Sequence, residues 1–134
     1  MCIRDRSGLV QLGFGSRLTA DGARVLAALV AEGHLAQLEN LFLSDNRELG
    51  DAGTAAIAEA MATGRLTRLT ELMLDGTGMG DAGAAALGAA LGGAPALETL
   101  AVGENAFGAA AAEGLKAACK ARSVAAMASF FDAL

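Results

Sequence analysis

The chain has no tryptophan or tyrosine, one proline, one histidine and two cysteines, and aromatic residues make up only 4% of its 134 positions. Each scarcity closes off a class of function. Two cysteines, Cys2 and Cys119, are too few for the disulfide framework of a small secreted domain. With a single histidine, His34, and no clustered cysteines there is no metal-ligand spacing, and no acidic loop has calcium-binding spacing. His34 follows a helix-stop glycine and has neither a nucleophile nor an orienting group in any recognisable signature; it reads as a solvated turn residue near a helix C-terminus. No run of ~18 strongly apolar residues exists, so no membrane span is expected. A formal charge of −5 argues against a nucleic-acid partner, which needs a basic stripe. Catalytic residues, metals, cofactors and small-molecule substrates are therefore not expected, and the location expected is cytoplasmic.

What the chain does have is alanine, glycine and leucine in a repeated phrase. Leu38, Leu41, Leu43, Asn46 and Leu49-Gly50-Asp51-Ala52-Gly53 are followed by Leu69, Leu72, Leu74, Thr77 and Met79-Gly80-Asp81-Ala82-Gly83. Leu97, Leu100, Val102, Asn105 and Phe107-Gly108 make a third copy. A blurred earlier copy places Val10, Leu12, Leu18 and Gly22 against Leu41, Leu43, Leu49 and Gly53, with Gly15 where Asn46 and Asn105 stand later. A period in this range marks a solenoid, in which each unit buries its apolar face only against its neighbours.

Each unit reads as strand, loop, helix and return turn. Leu41 and Leu43 alternate with Phe42, and Leu72 and Leu74 with Met73, as in strands with one buried face. Helical spacing follows in Val25, Leu26, Leu29 and Val30, in Ile57, Ala60 and Met61, in Leu87, Ala90 and Leu91, and in Leu115, Ala118 and Cys119. Cys119 so placed is a core thiol. Asp51 and Asp81 are expected as N-caps of their own helices, and Gly33, Gly64 and Gly92-Gly93 as helix stops, with Pro95 reinforcing the third. At the C-terminal end two readings remain for residues 123–134. Ala125, Ala128 and Phe130 could repeat Leu97, Leu100 and Val102 as a degenerate fifth strand, or Val124, Met127 and Phe131 could line a terminal amphipathic helix.

This phrase resembles the leucine-rich repeats of the ribonuclease-inhibitor-like subclass, the type found in NOD-like receptors and Ran GTPase-activating proteins. The resemblance covers about residues 7–122 and is closest over Leu38–Ala55 and Leu69–Ala84. Thr77 and Gly15 depart from it where Asn is usual, as do Ala109–Ala111 in place of Asp-x-Gly. It implies an α/β right-handed superhelix with a parallel concave sheet and outer helices. The expected organisation is one domain over 7–134, with units at about 7–34, 35–65, 66–93 and 94–122 and a terminal cap over 123–134. It also implies a structural turn ladder made by Asn46, Thr77 and Asn105. Residues 1–6 (Met1-Cys2-Ile3-Arg4-Asp5-Arg6) are similar to the translation of a sequencing-library adapter; the alternative is a natural polar tail. The adapter reading would make the chain a piece of a larger regulatory protein.

The function expected is non-catalytic recognition of a protein partner through the outward strand face and its loops. Asn40, Phe42 and Ser44 alternate with the inward leucines, as do Glu71, Met73 and Asp75, then Thr99, Ala101 and Gly103. Asp45 and Glu104 extend this face into the loops. Phe42 and Met73 would be adjacent and exposed, rimmed by Glu39, Asp45, Glu71 and Asp75. Aromatic and Met side chains are enriched at interfaces, whereas two isolated apolar residues can also mean nothing. Two other classes stay open. Arg47 beside Asn46 is a loop arginine of the kind a GTPase-activating repeat protein would use. Gly78-Met79-Gly80-Asp81-Ala82-Gly83 has the dinucleotide-binding spacing between a strand and a helix, with Glu104 ~20 residues on. The repeat accounts for all of that motif except Gly78, and Glu71 within the strand suits a half-exposed ladder better than a doubly covered Rossmann strand.

Overall fold

In a computed structural model, residues 2–3, 11–13, 18–121 and 125–127 are described, with side chains over 18–121. The architecture is α/β. Strands β1 (Cys2–Ile3), β2 (Gln11–Gly13), β3 (Asn40–Phe42), β4 (Glu71–Met73), β5 (Thr99–Ala101) and β6 (Ala125–Met127) form one sheet in chain order. Helices α1 (Ala20–Ala31), α2 (Gly50–Ala62), α3 (Asp81–Ala90) and α4 (Ala109–Ala121) connect the successive parallel strands β2 to β6. They pack in sequence, α1 on α2, α2 on α3 and α3 on α4.

In the three-residue strands β3, β4 and β5 the middle residue faces the helices. Leu41, Leu72 and Leu100 lie side by side in register and are buried. Leu43, Leu74 and Val102, just past the strands, continue that wall. Helix residues Leu26, Ile57, Leu87 and Leu115 close on it, with Val30, Met61, Leu91 and Cys119 one turn later, as their periodicity predicts. At ~25 cal/mol per Å² of apolar surface removed from water, such leucine layers are the dominant stabilising term. Gly33 and Gly64 follow the helix ends at φ 85° and 76°, the left-handed geometry that stops a helix. A short 3₁₀ turn, Leu91–Gly93, ends α3.

Several expectations need correction. Val25 and Leu29, assigned to the apolar face of α1, are 62% and 38% exposed. Their counterparts Ala56 and Ala60 of α2 are buried, and among the described helices α2 packs against two others whereas α1 packs against α2 alone. The two outer strands also slip. Leu12 pairs with Leu41, not Leu43, and Ala126 pairs with Leu100 where Ala128 was aligned. A slip of two residues leaves the same side chains on each face, so hydrophobic alternation cannot distinguish the registers. Of the two C-terminal readings, a strand is present at Ala125–Met127 as β6, parallel to β5, while residues 128–134, part of the competing helix reading, lie outside those described. The segment set aside as a tail supplies β1, which pairs antiparallel with β2. Phe14, Gly15 and Val10 lie outside the described residues. No described helix is long and apolar enough to cross a membrane.

Candidate functional site: the open strand face and its loops

The strand residues flanking the buried leucines form the open face. Two rows cross it in register: Asn40, Glu71 and Thr99, then Phe42, Met73 and Ala101. Phe42 and Met73 are neighbours as expected, but half-buried and not fully exposed. The register sets them side by side at the ~4.8 Å strand spacing, where cross-strand neighbours cover part of each other's surface. Ala101 does not belong to the accessible face. It is only 4% exposed, because a single methyl group beside the longer Met73 is screened by its surroundings. Gly103, also expected to face outward, is buried. Thr99 remains half-exposed.

The polar residues of this face are tied to one another. The Asn40 amide, in the orientation its surroundings favour, donates to the Glu71 carboxylate at 3.2 Å. Asp75 is not an isolated carboxylate beside solvent. Its Oδ1 accepts the Gly103 N–H at 2.6 Å, and Ser44 Oγ lies 3.5 Å from Oδ2, so it spans three consecutive units. Asp45 and Glu104 are exposed loop residues with φ of 66° and 55°, and Gly76 takes φ 64° at the equivalent place. Each of the loops after β3, β4 and β5 therefore turns through a left-handed residue, and two of the three do so without glycine, at a cost of order 1 kcal/mol each. The acids Glu39, Asp45, Glu71, Asp75 and Glu104 are exposed or half-exposed on β4 and beside or within the loops of β3, β4 and β5, and Arg47 is exposed in the loop after β3.

Beneath this rim runs the turn ladder. Asn46 is fully buried; its Oδ1 accepts from Leu18 N (2.7 Å) and its Nδ2 donates to Leu43 O (2.8 Å). Asn105 accepts from Thr77 N (2.9 Å) and Met79 N (3.1 Å) and donates to Leu74 O (2.8 Å) and Val102 O (3.0 Å). Thr77 has one hydroxyl for the same position: it bonds Leu74 O or Asn105 Oδ1, and it does not reach back to the preceding unit as the asparagines do. Strand-type hydrogen bonding continues through these loops, from Asp45 N to Asp75 O (2.7 Å) and from Gly76 N to Gly103 O (2.9 Å).

The glycine motif has a packing explanation. Asp51 does not cap its own helix. Its Oδ1 accepts from Gly80 N (2.6 Å) and Gly83 N (2.9 Å), at the start of α3. Asp81 likewise accepts from Gly108 N (2.7 Å) ahead of α4. Each aspartate stands in the first turn of one helix and holds the N-terminus of the next. Helix α1 caps itself, through Gly22 N donating to Thr19 Oγ1 at 3.3 Å, whereas the N-cap residues of α2 and α3 make no side-chain cap. A Cβ on Gly83 would come within 2.8 Å of the Asp51 carboxylate, and one on Gly78 (φ 74°) within 2.7 Å of Arg47 O. The amides a nucleotide phosphate would need are already held by a carboxylate. The aspartate contacts were not legible in the spacing, because they connect residues 27 to 32 apart across two units.

His34 is exposed, with Nε2 3.5 Å from a Glu32 carboxylate oxygen. Burial pushes the Cys119 thiol from 9.0 up to about 11, which keeps it protonated and unreactive at neutral pH. Among the described residues no group of three His, Cys, Asp or Glu side chains could hold a metal ion. No protein-family model matches the chain, and no curated protein does.

Proposed function

We propose that the chain is a leucine-rich-repeat solenoid that binds a protein partner through its open strand face, without catalysis. The supporting observation is the Phe42–Met73 pair: two large apolar side chains in register, half-open, on the sheet face that the helices leave bare. Around them Asn40, Ser44, Glu71, Asp75, Thr99, Asp45 and Glu104 supply a polar rim, the anatomy of a small interface. Parallel strands in chain order, consecutive helix packing and an Asn/Thr turn ladder support the repeat reading. A rigid ladder suits recognition, since side chains held in register lose little freedom on binding. The few open positions fall well below the ~20–30 residues per side of a standard interface, so modest affinity is expected of this module alone.

The test is site-specific. A photo-crosslinking residue at position 42 or 73 should trap a discrete partner that the same residue at Ala85, on the helix side, does not. With the probe moved to Thr99, Phe42→Asp with Met73→Asp should abolish capture while circular dichroism and the melting temperature stay close to wild type. Equal trapping from Ala85, or unchanged capture by the double variant carrying the probe at Thr99, would sink the assignment.

A further inference from the structure

The formal charge of −5 is unevenly placed. Strands β3, β4 and β5 with the residues beside them, 39–48, 71–76 and 98–106, carry seven acidic side chains against Arg47 alone. The rest of 18–121 carries six acidic and five basic side chains, so it is close to neutral. Two of those six, Asp51 and Asp81, are turned to amides at helix starts. The open strands and their turns thus hold nearly all the negative excess among the described side chains. On the face itself the acids are held by neutral donors. Glu71 takes the Asn40 amide, and Asp75 takes the Gly103 N–H at 2.6 Å with Ser44 Oγ at 3.5 Å. These donors orient the carboxylates without cancelling their charge.

Glu71, Met73 and Asp75 are alternate residues along one line, so a carboxylate, an apolar side chain and a second carboxylate follow one another at steps of ~6.6 Å. All three are half-buried, and Phe42 broadens the apolar step in register with Met73. Partial burial weakens solvent screening, so a cation brought to Glu71 or Asp75 gains more than one brought to a fully exposed acid. A purely apolar ligand would strip water from both carboxylates without replacing it, and a nucleic acid would bring phosphates to an acidic face. We propose, resting on the strand-face reading above, that the partner meets this face with an extended basic segment: a large apolar residue on the Phe42–Met73 pair, with Lys or Arg two residues to either side. Alternate residues of an extended chain share one face at the same ~6.6 Å step, so the two cations reach Glu71 and Asp75 as the apolar residue reaches Met73. Asp45 and Glu104, exposed in the flanking loops, draw such a segment in before contact.

Backbone amide chemical shifts of the isotope-labelled full chain test this, with a seven-residue peptide as the probe. The peptide carries Leu at its fourth position and Lys at its second and sixth; a companion carries Glu in place of both Lys. At about 20 mM salt the lysine peptide should shift amides within 40–45 and 71–76, with roughly millimolar affinity for so small a contact. Raising the salt to about 200 mM shortens the Debye length about threefold and should weaken binding about fivefold. The glutamate peptide should shift none of these amides. Glu71→Lys with Glu104→Lys should remove the binding. Glu59→Lys with Glu113→Lys makes the same change of net charge at exposed positions of α2 and α4 and should keep most of it. Equal binding of the two peptides, equal loss from the two pairs of variants, shifts spread over the helices, or no shifts up to about 10 mM peptide would each overturn the proposal. The strand-face reading is judged apart from it: a partner trapped from position 42 regardless of salt and of Glu71→Lys would uphold that reading and overturn this one.

Discussion

At the residue scale the turns depend on side chains that are neither large nor apolar. Asn105 is the clearest case, because one amide meets needs in two adjacent units. Its oxygen takes the Thr77 and Met79 N–H groups, and its nitrogen serves Leu74 O, Val102 O and Gly103 O. Replacing it by Leu keeps the bulk and orphans these groups in a turn with little access to water. Leaving buried donors unmet costs ~1–3 kcal/mol, so Asn105→Leu should lose about 2–3 kcal/mol in urea titration. Asn105→Asp keeps the acceptor and should lose less at neutral pH. If Leu were tolerated within about 0.5 kcal/mol, the range of an ordinary surface change, the turn would not depend on this amide. Thr77, with a single hydroxyl, shows how far the position can relax when its neighbours on one side already supply the bonds.

At the element scale the helices are poor in intrinsic anchoring. Helix α3 contains two glycines, and its N-cap Gly80 offers no side chain to the first turn. That function is supplied from outside by Asp51. Removing an N-cap side chain costs ~0.5–2 kcal/mol; here the acceptor serves two amides and also stands in the favourable first turn of α2. Asp51→Ala should therefore lower the melting temperature by about 3–8 °C, using the per-kcal shift expected of a domain this size. Asp51→Asn, which keeps an acceptor, should lie between. Hydrogen exchange should locate the loss at Gly83–Leu87, the start of α3. A loss confined to α2 would mean that Asp51 acts only in its own helix.

The same elements show what the chain's pattern could and could not reveal. Leu41, Leu72 and Leu100, and the helix stops at Gly33 and Gly64, were legible because burial and left-handed turns impose residue types locally. The target of Asp51 was not, since a carboxylate in the first turn looks alike whether it caps its own helix or the next. Val25 and Leu29 misled for a related reason. Amphipathic spacing finds the apolar side of α1 but cannot say whether a neighbour covers it, and the contrast with Ala56 and Ala60 was the available signal. Of the open face, Phe42, Met73, Asn40 and Glu71 sat where alternation put them. Ala101 did not, because accessibility depends on the neighbouring strand's side chains as much as on its own direction.

At the scale of the whole molecule, the arrangement of contacts sets how the structure comes apart. Units β3–α2 and β4–α3 have a neighbour on both sides, whereas α1 and α4 each pack against one helix. In a chain of nearest-neighbour contacts stability is a sum over units and interfaces, so the ends should open at lower free energy than the centre. Native-state hydrogen exchange should find the greatest protection at Leu41, Leu72 and within α2, and less in α1 and α4. Two core substitutions sharpen this. Leu72→Ala, at a fully buried position in the middle of the sheet, should cost about 3–4 kcal/mol and lower protection everywhere, since both halves lose their shared interface. Leu115→Ala removes a similar side chain from α4 and should weaken α4 and its contact with α3 while leaving α1 and α2 close to wild type. Uniform protection across the four helices, or equal loss throughout from Leu115→Ala, would mean that the chain unfolds as one indivisible core.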